Sequence, residues 1–377
     1  MAGIVTFDEE PPPGTINLGI GQPSADLLPV DLVRQASQSF LDAIQPFELN
    51  YGVVQGDERF LNSLATFLTE NYHSKVMPEQ LFVSGGNSQA LDLVSVVFAN
   101  PGDTVFVEEP SFFLAFQILR DHGLNIVGIP VDDDGVCIDA LQQALKTHKP
   151  AFMYTIPSYH NPGGQCTSEA RRRRIVELAA EHDFLIVADE VYQLLYYYDA
   201  PPPAYGTMVA SEKVVSLGSF SKILAPAMRL GWIQTTEGLR SRLLASGFVN
   251  SGGSINHISS HLVRHAMDNG SLASHIENLR RVYRGRVEAM DEALREHFSG
   301  IAEWTRPAGG YFFWLRFDES VNTAGLRQQA RELETGFQGG AVFSTNGGLG
   351  HYLRLCFAHY NEGDIREGIS RMRPLFD

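Results

Sequence analysis

The chain has 377 residues, 44% of them hydrophobic and 19% charged, with a net charge of −15. That length exceeds what one hydrophobic core usually fills, about 250–300 residues, so a globular protein of two domains is expected. The acidic balance excludes a sequence-independent grip on nucleic acid or on an anionic membrane surface, and Cys137, Cys166 and Cys356 are too scattered for a disulfide framework or a metal cluster.

The opening MAGIVTFDEEPPPG lacks the basic-then-apolar order of a secretory leader. No apolar run reaches about 18 residues, so no membrane span is expected, and a cytoplasmic location is. From about residue 80 short apolar runs alternate with helical patterns, as βαβ units do. LFV (81–83) leads into SGGNSQALDLVSVVFA, a turn and then a helix. TVFV (104–107) leads into EEPSFF, and AFMYTI (151–156) into PSYHNPGG. The stretch TSEARRRRIVELAAEHD (167–183) reads as a helix with Ile175, Leu178 and Ala179 inward. Arg171 to Arg174 then fan out around it as a solvated surface. FLIVA (184–188) leads into DEVY, and VVSL (214–217) into GSFSK. His257, His261 and His265 share one helical face. Without an evident carboxylate partner they read as part of an interdomain helix, not a metal site. Residues 261–298 read as helices, and GGYFFWLRF (309–317) and HYLRLCF (351–357) as strands. The fold class expected is α/β, with a mostly parallel central sheet in a large domain, about 46–255. A small α+β domain would combine residues 1–45 and 256–377.

Ligands of a parallel sheet sit beyond the carboxyl ends of its strands. The residues just past the apolar runs are Gly86-Asn87-Ser88, Phe112, Asn161, Asp189 with Tyr192, and Ser219 with Lys222. Gly85 and Gly86 before a helix let backbone N–H groups approach an anion, and Ser88 adds a hydroxyl. Ser219, Ser221 and Arg229 add hydroxyls and a guanidinium, which suits a phosphate. The Walker A spacing is missing, so a nucleoside triphosphate is not expected, and GIGQPS (19–24) lacks the third glycine of a dinucleotide fingerprint. Phe112 offers a flat face to a ring. Asp189 at the end of an apolar strand needs a cation, such as a protonated ring nitrogen. Lys222 can join an aldehyde as a Schiff base. Phosphate, basic ring and aldehyde together describe pyridoxal 5′-phosphate, PLP.

With SFSK followed by Arg229, NPGG and DEVY, and with INLGIGQPSADLLP (16–29), YGVVQGDERFLNSLATFL (51–68) and HYLRLCFAHY (351–360), the chain resembles fold-type I PLP enzymes of the class I/II aminotransferase family. It is most similar to the branch of 2-aminoadipate and kynurenine aminotransferases and the PLP domains of MocR-type regulators. The resemblance implies that Lys222 carries PLP and moves the proton, and that Asp189 pairs with the pyridinium nitrogen. It implies that Tyr192 and Asn161 hydrogen-bond the ring oxygen, and that Phe112 stacks on the ring. Gly86, Asn87, Ser88, Ser219, Ser221 and Arg229 would surround the phosphate. Tyr51 would reach the phosphate of a neighbouring subunit, making the active unit a homodimer. Arg354 would clamp the substrate α-carboxylate, aided by Asn161 and the backbone near Gly21.

The implied function is amino transfer between an α-amino acid and a 2-oxo acid, with no nucleic acid or membrane partner. Two departures matter. Phe112 stands where the family usually has tyrosine, and the glycine-rich stretch 339–350 replaces a common Pro-Gly turn. Both leave room for a PLP-dependent lyase, a β- or γ-replacement enzyme or a decarboxylase of a specialised biosynthetic pathway. A PLP-binding sensor module is the remote alternative, since the chain begins almost at the family's first motif. Tyr159 or His160 is expected to shape the side-chain pocket.

Overall fold

The computed structural model describes residues 12–377. The N-terminal stretch through residue 11, with the leader comparison made on it, lies outside the described residues. In chain order the strands are β1 (Ile16–Asn17), β2 (Leu81–Ser84), β3 (Thr104–Glu109), β4 (Asn125–Asp132), β5 (Gly135–Val136), β6 (Pro150–Thr155) and β7 (Leu185–Asp189). They continue with β8 (Val214–Ser219), β9 (Gly231–Gln234), β10 (Phe312–Arg316), β11 (Thr335–Gly336), β12 (Gln338–Gly339) and β13 (Tyr352–Cys356).

Eight strands form one sheet in the order β2-β9-β8-β7-β6-β3-β4-β5. The pairs β8–β7, β7–β6, β6–β3 and β3–β4 are parallel. Strand β9 runs antiparallel to both β8 and β2, so β2 points the same way as β8. All five apolar runs picked out by their sequence therefore end at one edge, as expected. Every residue of β8, and every residue of β6 except Ala151, is buried. Helices cover both faces, which is why these strands are continuous in Val, Ile, Leu and Phe, not alternating.

Two smaller sheets lie beside this one. β13 runs between β10 and β12, antiparallel to both, and β1 pairs in parallel with β11. The amide of Cys356 also donates to the Leu18 carbonyl at 2.6 Å. The N-terminal segment is thereby stitched to the strand that carries Arg354. The two expected helices are His257–Asp268 and Ser271–Phe298. Among the described residues no helix is long and apolar enough to cross a membrane.

One expectation fails. Arg172, read as solvated, is fully buried on the helix Glu169–His182. Its Nε donates to the Thr167 carbonyl at 2.8 Å, Nη1 to Pro203 O at 3.0 Å and Nη2 to Pro157 O at 2.7 Å. The other three arginines of the run pair outward, Arg171 with Asp132, Arg173 with Glu169 and Arg174 with Glu177. One position in four faces the sheet, and there carbonyls satisfy the guanidinium in place of water.

Candidate active site

Asp189 ends β7 with its carboxylate buried. It accepts from the amide Nδ2 of Asn87, from the Tyr154 hydroxyl at 2.9 Å and from Val191 N at 3.3 Å. Burial pushes its pKa up and these donors pull it back. Among the described residues no cation is within ion-pair reach of it. A cationic partner is what this carboxylate lacks.

Asn87 opens the helix Asn87–Phe98, with Gly86 as its N-cap at φ +88°. Only glycine adopts that angle without strain. A Cβ on Gly86 would also stand 3.2 Å from Nη2 of Arg229. Arg229 donates from Nη2 to Gly85 O at 3.0 Å and from Nη1 to Pro226 O at 3.2 Å, and remains exposed. Gly85 N donates to the side chain of Gln89 at 2.9 Å. Ser88 is exposed on the first turn. At the end of β8, the Ser219 hydroxyl donates to Ser221 Oγ at 2.9 Å and accepts from Ser221 N at 3.1 Å. A helix N-terminus, two hydroxyls and an exposed guanidinium are a donor set suited to a phosphate dianion.

Lys222 lies three residues past the end of β8. Its Nζ donates to Gly21 O at 3.2 Å and lies 5.1 Å from the centre of the Tyr311 ring. Burial lowers its pKa to about 8. The amine is therefore far closer to neutral at physiological pH than an ordinary lysine. Gly21 also abuts the second cation: a Cβ there would stand 3.3 Å from Nη2 of Arg354.

Arg354 sits in β13 with 4% of its surface exposed. Nη1 donates to Asn161 Oδ1 at 2.9 Å and Nη2 to Gly19 O at 3.0 Å. Its Nε has no acceptor. The guanidinium carbon lies 4.0 Å from the centre of the Phe312 ring and 5.0 Å from that of Phe343. Burial lowers its pKa to about 10, and no carboxylate pairs with it among the described residues. Tyr192, buried, packs its ring 5.4 Å from Tyr311 and 6.1 Å from Phe312. Burial raises its phenol, so it stays protonated.

The contacts run unbroken from Arg229 through Gly86, Asn87 and Asp189, and from Lys222 through Gly21 and Arg354 to Asn161. Phe112 is half-buried and touches Phe113, with ring centres 5.7 Å apart. Tyr51 stands apart, 76% exposed, with its carbonyl accepting from Ser254 N at 2.9 Å. Tyr159 and His160 have structural partners. The Tyr159 hydroxyl donates to Asp199 O at 3.3 Å, and its ring lies where a Cβ on Gly309 would fall. His160 Nε2 lies 3.1 Å from the buried Glu108. The expectation that one of them lines the side-chain pocket therefore gives way. Both are almost fully buried, His160 beside Glu108 and the Tyr159 ring in the close packing at Gly309.

Sequence reading missed Tyr154, Tyr311, Phe312 and Phe343. Tyr154 carried a signal, since a phenol inside an otherwise apolar buried strand needs a hydrogen-bond partner. The other three lie far along the chain and reach the site only through tertiary packing.

Comparison with known proteins agrees with this geometry. The model of the family "Aminotransferase class I and II" matches residues 13–372. An aromatic-amino-acid aminotransferase of Thermococcus litoralis is 32% identical over 95% of this chain and 87% of its own. A 2-aminoadipate transaminase of Thermus thermophilus is 31% identical over 96% of this chain and 89% of its own. The crystal structure of a multiple substrate aminotransferase from Thermococcus profundus superposes with a TM-score of 0.91 at 30% identity, covering 98% of this chain and 92% of that one. With its fold, its strand-end residues and these matches in accord, the chain belongs to the class I and II aminotransferase family.

Proposed function

We propose that the protein is a PLP-dependent aminotransferase that moves an amino group between an α-amino acid and a 2-oxo acid. The observation that carries this reading is the meeting of three groups beyond the carboxyl ends of the eight-stranded sheet, the third reaching in from β13. They are a buried carboxylate without a cation, a lysine whose pKa burial has lowered, and a buried guanidinium without a carboxylate. Each is incomplete in the way that the cofactor or the substrate would complete.

PLP, when bound, supplies an aldehyde that takes up the amino group and a ring that renders the α-proton labile. The protein's own part is electrostatic and positional. Asp189, oriented by Asn87 and Tyr154, would supply the fixed anion for the ring nitrogen. The backbone at Gly86, the start of the helix Asn87–Phe98, Ser88, Ser219, Ser221 and Arg229 hold the phosphate. Phe112 would cover one face of the ring, and Asn161 and Tyr192 would hydrogen-bond its oxygen. Arg354 takes the α-carboxylate through its planar fork, aided by Asn161 and the Gly21 backbone. Lys222 holds or releases a proton at Nζ, and its lowered pKa makes it an effective base near neutrality.

The same reading makes the active unit a homodimer. Phe47, Leu49, Tyr51 and Val53 are exposed on one segment, and Phe248 and Ile258 on another. Such clustering of large apolar side chains favours burial against a second copy, and Tyr51 would then reach the partner's phosphate. We also propose the division into a large unit, 46–255, and a small one, 1–45 with 256–377. The eight-stranded sheet falls within the first, and the pairing of β1 with β11 joins the two ends of the second. Three widely separated cysteines suit a cytoplasmic setting.

Mixing PLP-loaded protein with an amino acid and no oxo acid tests the function. Stoichiometric conversion of the cofactor to its amine form, reversed by a 2-oxo acid, is the expected result. Continuous release of ammonia or pyruvate would replace transfer with lyase chemistry.

A further inference from the structure

Given the aminotransferase reading, on which this inference rests, Arg354 fixes the α-carboxylate and the substrate side chain must be held by what surrounds it. One wall comes from the segment 340–345. Phe343 is fully buried, and its carbonyl accepts from Ser111 N at 2.9 Å. Thr345 N donates to Glu109 Oε2 at 2.8 Å. These bonds lace the segment to the end of β3, immediately before Phe112. The Phe343 ring lies 5.0 Å from the Arg354 guanidinium and stands edge-on to Phe113 at 5.4 Å and Trp314 at 5.5 Å. Phe113 in turn lies 5.7 Å from Phe112. Aromatic rings therefore run without a break from the carboxylate clamp to the half-buried ring at the sheet edge.

The charges point the same way. Among the described residues, the segments that border this region, 12–33, 104–119, 156–165 and 332–353, contain neither lysine nor arginine. Nor do 44–57 and 247–258, which carry the exposed apolar residues a second subunit would cover. Lys222 and Arg229 are committed elsewhere in the site. A second substrate carboxylate would thus enter an aromatic surround in which these segments offer no lysine or arginine to meet it, and its burial there is unfavourable. An apolar side chain there is stabilised by leaving water.

We infer that the preferred substrate is an α-amino acid with an aromatic or bulky apolar side chain, seated against the half-buried Phe113 with Phe343 packed behind it, and that dicarboxylic amino acids are disfavoured. The experiment is the half-reaction of PLP-loaded protein, followed by cofactor absorbance, with phenylalanine, leucine, alanine, aspartate, glutamate and 2-aminoadipate. The expected result is a kcat/KM for phenylalanine or leucine about 10–200-fold above that of every dicarboxylate. A dicarboxylate that reacts as fast or faster overturns the inference and leaves the aminotransferase function standing. Failure of all six to convert the cofactor overturns both. Phe113→Ala and the milder Phe343→Leu sharpen the assignment, since each should lower the phenylalanine-to-alanine ratio about tenfold. A ratio unmoved in Phe113→Ala, the half-buried and more permissive position, overturns the wall as drawn.

Discussion

Two buried arginines in this protein are chemically alike and differ in what they have left to give. Arg172 spends four of its five donors within the chain, tying together the carbonyls of Pro157, Thr167 and Pro203 and the Ser158 hydroxyl, with the Tyr205 ring 5.8 Å away. Arg354 holds one carbonyl and one amide oxygen, keeps an unpartnered Nε and faces no carboxylate. A guanidinium with every nitrogen bonded to the chain is a brace. One held at equal depth with capacity unspent is a receptor. Burial alone does not separate structure from function; the inventory of partners does.

Breaking the brace should have the largest effect. Arg172→Met strands three carbonyls in the interior and should cost about 3–5 kcal/mol of stability, read from urea unfolding. Arg354→Lys should move the unfolding midpoint much less, because only Asn161 Oδ1 and Gly19 O lose a donor and a buried lysine can shed its proton. Its kcat/KM should fall about 10²-fold, as a point charge replaces a planar fork. A midpoint loss in Arg354→Lys as large as in Arg172→Met would erase the distinction. A smaller effect concerns Lys222. Uptake of PLP needs the neutral amine, and burial lowers its pKa to about 8. The rate of uptake by the cofactor-free protein should therefore climb about tenfold per pH unit below 8 and level off above it. An ordinary lysine would go on climbing to beyond pH 10. The smallest effect belongs to Tyr154→Phe, which removes one hydrogen bond from Asp189 at constant packing. It should lower kcat/KM about threefold to tenfold, in line with roughly 0.5–1.5 kcal/mol for one such bond.

Much of the site was legible because the chemistry sits at strand ends, and buried strands announce themselves as short runs of Val, Ile, Leu and Phe. What escaped was set by tertiary pairing. β9 is only four residues long and enters the sheet antiparallel, so nothing in GWIQ marks it as a neighbour of both β2 and β8. β4 is partly exposed along its length, and its mixed pattern hid it. Arg172 looked like its three solvated neighbours because the carbonyls that bury it come from 157, 167 and 203. The glycine-rich stretch 339–350 stood out as a departure from the family. That it delivers Phe343 to the end of β3 depends on bonds to Ser111 and Glu109, which lie more than 200 positions away.

The carbonyls of Gly19 and Gly21 cradle Arg354 and Lys222 while neither is engaged in chemistry. This ribbon of main chain is thus a built-in stand-in for the ligand, and an arriving carboxylate has to dislodge it from the guanidinium. Affinity for any substrate is set by the difference between the two grips. Loosening residues 16–21, even without touching a side chain, should change how tightly every amino acid is held.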